Sequence, residues 1–164
     1  GQTGYEILAE RTVEQLKYIH AVYDLAKEKG YIQDATFTGM KHRMEQENMQ
    51  RSEKVARGEA VYGLKEYTLD LYQEYELSMI EEAYILDETN EGMGLTEEEI
   101  EAYYNTRDWI VGEDARKADL SEARAAVIDE MRRNRYQELT EQKAAVAEVD
   151  GDMDQLSQFT LKQL

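Results

Sequence analysis

Between residues 5 and 29 the apolar positions Ile7/Leu8, Val13, Leu16, Ile19, Val22/Tyr23 and Leu25/Ala26 recur at steps of three and four. That spacing gathers them on one side of a helix. Lys27 and Lys29 fall in its last turn, where cations suit the helix dipole, and Gly30 is placed to stop it. A second helix is expected from Phe37 to about Arg57, opening at Asp34 or Thr36. Its apolar side is thin (Phe37, Met40, Met44, Val55), and the rest is Glu, Gln, Asn, Lys and Arg. A helix this polar either lies across the edge of a fold or is laced with charge pairs. Gly58 and Gly63 then bracket Val61-Tyr62 as a short extended joint.

The third helix, over residues 64–86, has a broad aromatic surface with Tyr67, Leu71, Tyr75 and Ile80 among Leu69, Tyr72, Leu77, Met79 and Tyr84, which marks it as the central element. After a loop over residues 87–94, Thr96 and Glu99 have the spacing of a capping box, in which each side chain satisfies the other residue's free backbone N–H. That short helix ends near Thr106, and residues 107–119 look irregular, anchored only by Trp109, Ile110 and Val111. Ser121 is the expected cap of a last helix that runs to about Ala147, with Val127/Ile128, Met131, Leu139 and Ala145/Val146 inward. The pattern is all-α: an irregular bundle of about five helices, the first, third and last long. One domain is expected over residues 1–149, with an acidic, weakly amphipathic tail over residues 150–164.

Composition narrows the picture. The chain has 164 residues, a size at which about 68–70% of the unfolded surface can be buried. It has no proline to break long helices, and no cysteine for disulfides, thiolate metal sites or a thiol nucleophile. The net charge is −17, from 19 basic and 36 acidic residues. A surface this acidic repels phosphate backbones and anionic headgroups, so neither nucleic acid nor a membrane surface is expected as a partner. No apolar run approaches the roughly 18 residues that a membrane span needs. The chain opens at Gly1 without an initiator methionine, as expected of a trimmed or mature product.

Twelve tyrosines stand against two phenylalanines, and Tyr62, Tyr67, Tyr72, Tyr75 and Tyr84 crowd the joint and the third helix. They read either as a groove of amphipathic rings that grips polypeptide or as a core with hydroxyls at its rim. Seven methionines add adaptable surface. Residues 87–98 overlay a calcium loop, with Asp87, Thr89 and Glu91 at the first, third and fifth places, Gly92 at the sixth and Glu98 at the twelfth. Gly94 at the eighth place and the absence of a paired loop make an ordinary acidic loop the expectation; Asp150-x-Asp152-x-Asp154 lacks the following glycine and closing glutamate. His20 and His42 have no partner at metal-ligand spacing, and no phosphate-binding loop or nucleophile elbow occurs. No catalytic residue, metal ligand or cofactor is therefore assigned, and the chain is expected not to be an enzyme.

The order of elements resembles the N-terminal chaperone module of SurA-like and PrsA-like secretion foldases. The resemblance rests on Ala26-Lys27-Glu28-Lys29-Gly30-Tyr31-Ile32 closing the first helix, and on Glu47-Asn48-Met49-Gln50-Arg51 in the polar helix followed by Val61-Tyr62-Gly63. It continues through the tyrosine-rich helix to Leu95-Thr96-Glu97-Glu98-Glu99-Ile100-Glu101-Ala102-Tyr103-Tyr104 and a long helix ending at Ala147-Glu148-Val149. It covers residues 5–150, without the parvulin-type isomerase domain that often follows, and the tyrosine content exceeds what such a module usually carries. The resemblance implies an extracytoplasmic, secreted or membrane-anchored protein. Such a protein would hold unfolded or newly secreted polypeptides without ATP or isomerase activity. In that reading the first and last helices close the domain, Trp109 to Val111 form a mobile flank, and clients are bound through Tyr62, Tyr67, Tyr72, Tyr75, Met79 and Trp109. The alternative is a structural or interaction module that docks one specific partner, or a second copy of itself as a homodimer, with the aromatics simply forming the core.

Overall fold

The structure, a computed structural model, describes residues 4–111 and 116–147. Five helices lie among them: α1 (Gly4–Glu28), α2 (Phe37–Ala56), α3 (Leu69–Leu86), α4 (Glu97–Tyr104) and α5 (Leu120–Val146). Two-residue strands β1 (Ile110–Val111) and β2 (Arg116–Lys117) pair antiparallel, with Ile110 opposite Lys117 and Val111 opposite Arg116. The all-α architecture expected from the apolar spacing is the one observed. The chain divides into two compact units, Gly1–Ile80 with Thr140–Leu164 and Glu81–Leu139. Residues 150–164, expected as a tail, lie outside the described residues, as do the side chains of Ile7 and Leu8.

In the first unit α1 and α2 end by the same device. Gly30 and Gly58 have φ of 76° and 73°, a region open to glycine, so the chain curls back and satisfies the last carbonyls. Tyr31 N then donates to Ala26 O at 2.8 Å, and Glu59 N donates to Lys54 O at 2.9 Å. Thr36 caps α2 by accepting from Gly39 N, while Asp34 accepts from Thr36 N. The core gathers Val22, Tyr23, Ala26, Ile32, Met40, Tyr72 and Ile80. On α3 the buried stripe is Tyr72, Glu76, Ile80 and Tyr84, whereas Leu69, Leu71 and Met79 are exposed. A glutamate therefore sits where the helical period asks for an apolar residue, and it is 6% exposed.

Glu76 is held there by four donors. Tyr23 Oη and Arg43 Nη2 donate to its Oε2 at 2.7 and 3.0 Å; Arg43 Nε and Tyr72 Oη donate to its Oε1 at 2.5 and 3.3 Å. The carboxylate thus joins α1, α2 and its own helix. Arg43 Nη1 also donates to Asp34 O at 2.6 Å, which fixes the α1–α2 connection. Burial beside this carboxylate holds the Tyr23 and Tyr72 phenols well above the ordinary value of 10.0, so both remain donors.

The second unit has its own core, with Ile100, Trp109, Ala118, Ala123, Val127 and Met131. Thr96 and Glu99 form the expected capping box. The last helix opens earlier than its sequence suggested: Asp119, not Ser121, is the cap. Asp119 Oδ1 accepts from Glu122 N at 3.0 Å, and Glu122 Oε2 accepts from Asp119 N at 3.2 Å, a second reciprocal box. Ser121 merely donates its hydroxyl to Asp119. The β1–β2 ribbon replaces part of the irregular stretch expected over residues 107–119; two-residue strands are too short to leave an alternating pattern. Val146, expected inward, is 80% exposed, because the buried positions of α5 (Ala123, Val127, Met131, Tyr136, Thr140) advance by fours and fives and carry the stripe past it.

Replacing Glu76 by Gln should cost about 3 kcal/mol of unfolding free energy, because it leaves the Arg43 guanidinium without its counter-charge. Tyr23→Phe should cost about 1–2 kcal/mol for one bond to a charged acceptor. Urea titration followed by circular dichroism checks both, and an unchanged midpoint for Glu76→Gln contradicts the assignment. A second expectation concerns acid. The Thr96 N–H and Arg135 hold Glu99, the Ser121 hydroxyl and the Glu122 N–H hold Asp119, and Arg116 and the Asp119 N–H hold Glu122, each below its ordinary value of 4.5, 3.8 and 4.5 respectively. A depressed carboxylate contributes stability that is present above its unfolded pKa and is lost as the pH falls through its folded one. The melting temperature should therefore fall as acid is added below about pH 4.5, and a Glu99→Gln/Glu122→Gln variant should start lower at pH 7 and converge with the parent in acid.

Candidate protein-binding surface

The polar face of α2 turns out to be a clamp for the segment that follows it. Asn48 pairs with both backbone groups of Tyr67: its Nδ2 donates to Tyr67 O at 2.9 Å, and its Oδ1 accepts from Tyr67 N at 2.7 Å. Arg51 Nη1 donates to Tyr62 O at 3.0 Å and Leu64 O at 2.7 Å. Arg51 is itself oriented by Glu47 at 2.7 Å and by the Tyr67 ring, 4.8 Å from its guanidinium carbon. These bonds keep residues 64–68 out of the third helix, which begins only at Leu69, with Tyr72 N donating to Thr68 O. α2, at 20 residues, is consequently longer than α3, at 18. The run Glu47-Asn48-Met49-Gln50-Arg51, notable in the sequence only as a point of resemblance, supplies all three clamping side chains.

The six aromatic and methionine positions considered for polypeptide binding are divided by the structure. Tyr67, Tyr72 and Tyr75 form one cluster: Tyr67 stacks on Tyr75 at 5.1 Å and meets Tyr72 edge-on at 5.7 Å. Tyr72 is buried and ties its hydroxyl to Glu76, whereas Tyr67 and Tyr75 are half-buried. Met79 follows one turn after Tyr75 and is exposed. Tyr62 is 89% exposed at the tip of the clamped segment. Trp109 belongs to the second unit, where its ring is 7% exposed, its Nε1 donates to Tyr104 O at 3.1 Å and Arg107 lies 4.2 Å from its centroid. Ala118 N donates to Trp109 O across the ribbon, so Trp109 is a core residue and not part of a free flank. Of the tyrosines between residues 62 and 84, only Tyr62 stands in solvent.

Two shallow clefts flank the clamp, one of about 180 Å³ touching Arg51, Lys54, Val61 and Tyr62, the other of about 300 Å³ touching Ser52, Val55, Lys65 and Glu66. A third, of about 140 Å³ and more apolar, lies between α1 and α2 with Leu16, His20, Phe37 and Met40 around it. In the acidic loop before α4, Asp87 accepts from the backbone and hydroxyl of Thr89, and Glu88 pairs with Arg132 at 2.7 Å. Among the described residues no group of three or more His, Asp or Glu is arranged to hold a metal ion, and no helix is long and apolar enough to cross a membrane.

No family model matches the chain. Over 165 aligned positions it is 35% identical to the chaperone for lacto-N-biosidase of Bifidobacterium longum subsp. longum. Over its whole length, the chain is similar to a bacterial chaperone. The alignment takes in 100% of this chain, which spans about 59% of the length of that curated relative. The relative is a chaperone, the kind of protein the helix order already suggested, and it serves a named enzyme. Among solved structures, the native GH136 lacto-N-biosidase from Eubacterium ramulus contains the same fold, with a TM-score of 0.64 over 90% of this chain and 31% of that one. Sequence identity there is 18%, so the match is one of fold.

Arg43, Glu76, Asn48 and Arg51 are the residues that sequence reasoning passed over. Asn48 and Arg51 could have been suspected from a polar helix preceding a glycine-bracketed joint. Arg43 and Glu76 left no signal, since a charged residue destined for burial reads like any solvated one. If the clamp works as described, Arg51→Ala and Asn48→Ala should speed hydrogen exchange at Tyr67 and its neighbours by about tenfold, the equivalent of one lost hydrogen bond. Amides in α1 should be unaffected; equal exchange throughout would show that the segment is held by something else.

Proposed function

We propose that this chain is a dedicated chaperone for one folded partner, a glycoside hydrolase of the lacto-N-biosidase type, and that it acts without ATP and without catalytic chemistry of its own. The observation that carries the proposal is 35% identity over the full chain to a protein named for that task. The shared fold within a lacto-N-biosidase chain adds support. The distribution of the tyrosines agrees with a specific partner better than with promiscuous holding. A groove for varied unfolded clients needs several adaptable apolar groups in solvent, but Tyr72 and Trp109 are core residues and Tyr67 and Tyr75 are packed against each other. The SurA/PrsA-like order of helices supports work outside the cytoplasm, on a secreted enzyme.

The test is refolding of a chemically unfolded lacto-N-biosidase of the type served by the relative, with and without an equimolar amount of this chain, and no nucleotide. The recovered glycosidase activity should rise several-fold, and an unrelated aggregation-prone client should gain nothing. Equal protection of unrelated clients would support general holding instead; no gain for the glycosidase would remove the proposal.

A further inference from the structure

The segment over residues 57–68 combines features that rarely meet at one place without a purpose. Tyr62 is the most exposed large hydrophobic side chain among the described residues, at 89%, and Leu64, Val55 and Met49 near it in sequence or across the clamp are exposed as well. An exposed tip of this kind ordinarily belongs to a loose loop. Here the carbonyls of Tyr62 itself and of Leu64 accept from an arginine, Arg51, whose side chain is only 13% exposed and which is tied to Glu47. Asn48 locks Tyr67 at the far end. The ordering entropy that an interface loop would lose on binding has therefore already been spent in folding, the condition under which an exposed aromatic gives the most affinity.

Charge adds the second observation. Residues 37–68 carry six Lys or Arg and five Glu, a net of +1, which leaves −18 for the remainder of a −17 chain. The clefts beside the clamp are touched by Lys54 and Lys65, and neither makes an ion pair among the described residues. An acidic protein surface is repelled by most of this chain, but it can approach this segment.

From these features we infer that Tyr62 is the anchor by which the chain grips its partner. The occupant is a folded protein surface with an apolar socket for the ring and carboxylates at its border, facing Lys54 and Lys65. The inference rests on the proposed function for the identity of the partner, but it places the contact independently. The α1–α2 cleft at Phe37 has an apolar rim, but no lysine lines it.

The experiment measures binding of this chain to an immobilised lacto-N-biosidase of the type served by the relative. Wild type is compared with Tyr62→Ala, Tyr62→Phe and Lys54→Glu/Lys65→Glu, each shown by circular dichroism to keep its helices. Tyr62→Ala should weaken binding about 30-fold or more, as expected of an interface anchor. Tyr62→Phe should stay within about threefold, because the ring's apolar body fills the socket. The lysine double variant should slow association and lose most of the salt dependence. If wild type binds and Tyr62→Ala binds equally well, the contact lies elsewhere and only this inference falls. If wild type does not bind, the proposed partner falls and takes the inference with it. A concentration-dependent dimer that Tyr62→Ala abolishes would identify a second copy as the occupant and overturn the inference on its own.

Discussion

The carboxylate of Glu76 is the constraint on which the first unit is organised. Taking a charge out of water costs several kcal/mol unless every lone pair is answered. Here the answers come from three helices at once, through Tyr23, Arg43, Tyr72 and the helix that carries Glu76 itself. Such a site is weak as a source of net stability, since an apolar set of similar volume could do as well. What it supplies is register. Only one rotation of α1, α2 and α3 about their axes brings a phenol, a guanidinium and a second phenol to the same two oxygens.

The second unit solves the same problem by different means. α5 places Arg124, Arg132, Arg133 and Arg135 along its length, and each reaches back to the segment over residues 81–99. Arg132 and Arg135 also donate to the carbonyls of Met93 and Gly92, so the loop before α4 is fixed through its backbone. Exposed ion pairs alone contribute little. A guanidinium that also satisfies a loop carbonyl does more, because it removes the need for that carbonyl to find water. In a chain with about twice as many acids as bases, Arg43, Arg51, Arg132 and Arg135 each pair with a carboxylate and also hold a backbone carbonyl.

This way of holding loops bears on function. Promiscuous chaperone surfaces are adaptable, with flexible thioethers and mobile segments that repack around each client. The segment after α2 is the opposite: an exposed ring on a backbone bonded at both ends. A rigid surface discriminates well and adapts poorly, in keeping with the single folded partner proposed above. The buried position of Trp109 points the same way, since its indole is committed to a hydrogen bond and a guanidinium within its own unit.

The helix-forming pattern, the stop at Gly30, the capping box at Thr96 and Glu99 and the sparse apolar side of α2 were all legible in the sequence, because each depends on residues a few positions apart. The tyrosine-rich helix was legible too, but not which of its rings would be buried: Tyr72 and Tyr75 differ by three residues and by the presence of Tyr23 and Arg43 across the core. Local spacing likewise pointed to Ser121 as a cap, although Asp119 has the reciprocal partner in Glu122. The start of α3, the burial of Glu76 and the exposure of Tyr62 are set by groups 11 to 53 positions away in the chain, such as the Arg51–Tyr62, Asn48–Tyr67 and Tyr23–Glu76 pairs. By itself the sequence determined where helices can form and end, since the period and the caps are local chemistry. Only the tertiary structure decided which polar side chains turn inward, because burial of a charge depends on donors that folding alone brings together.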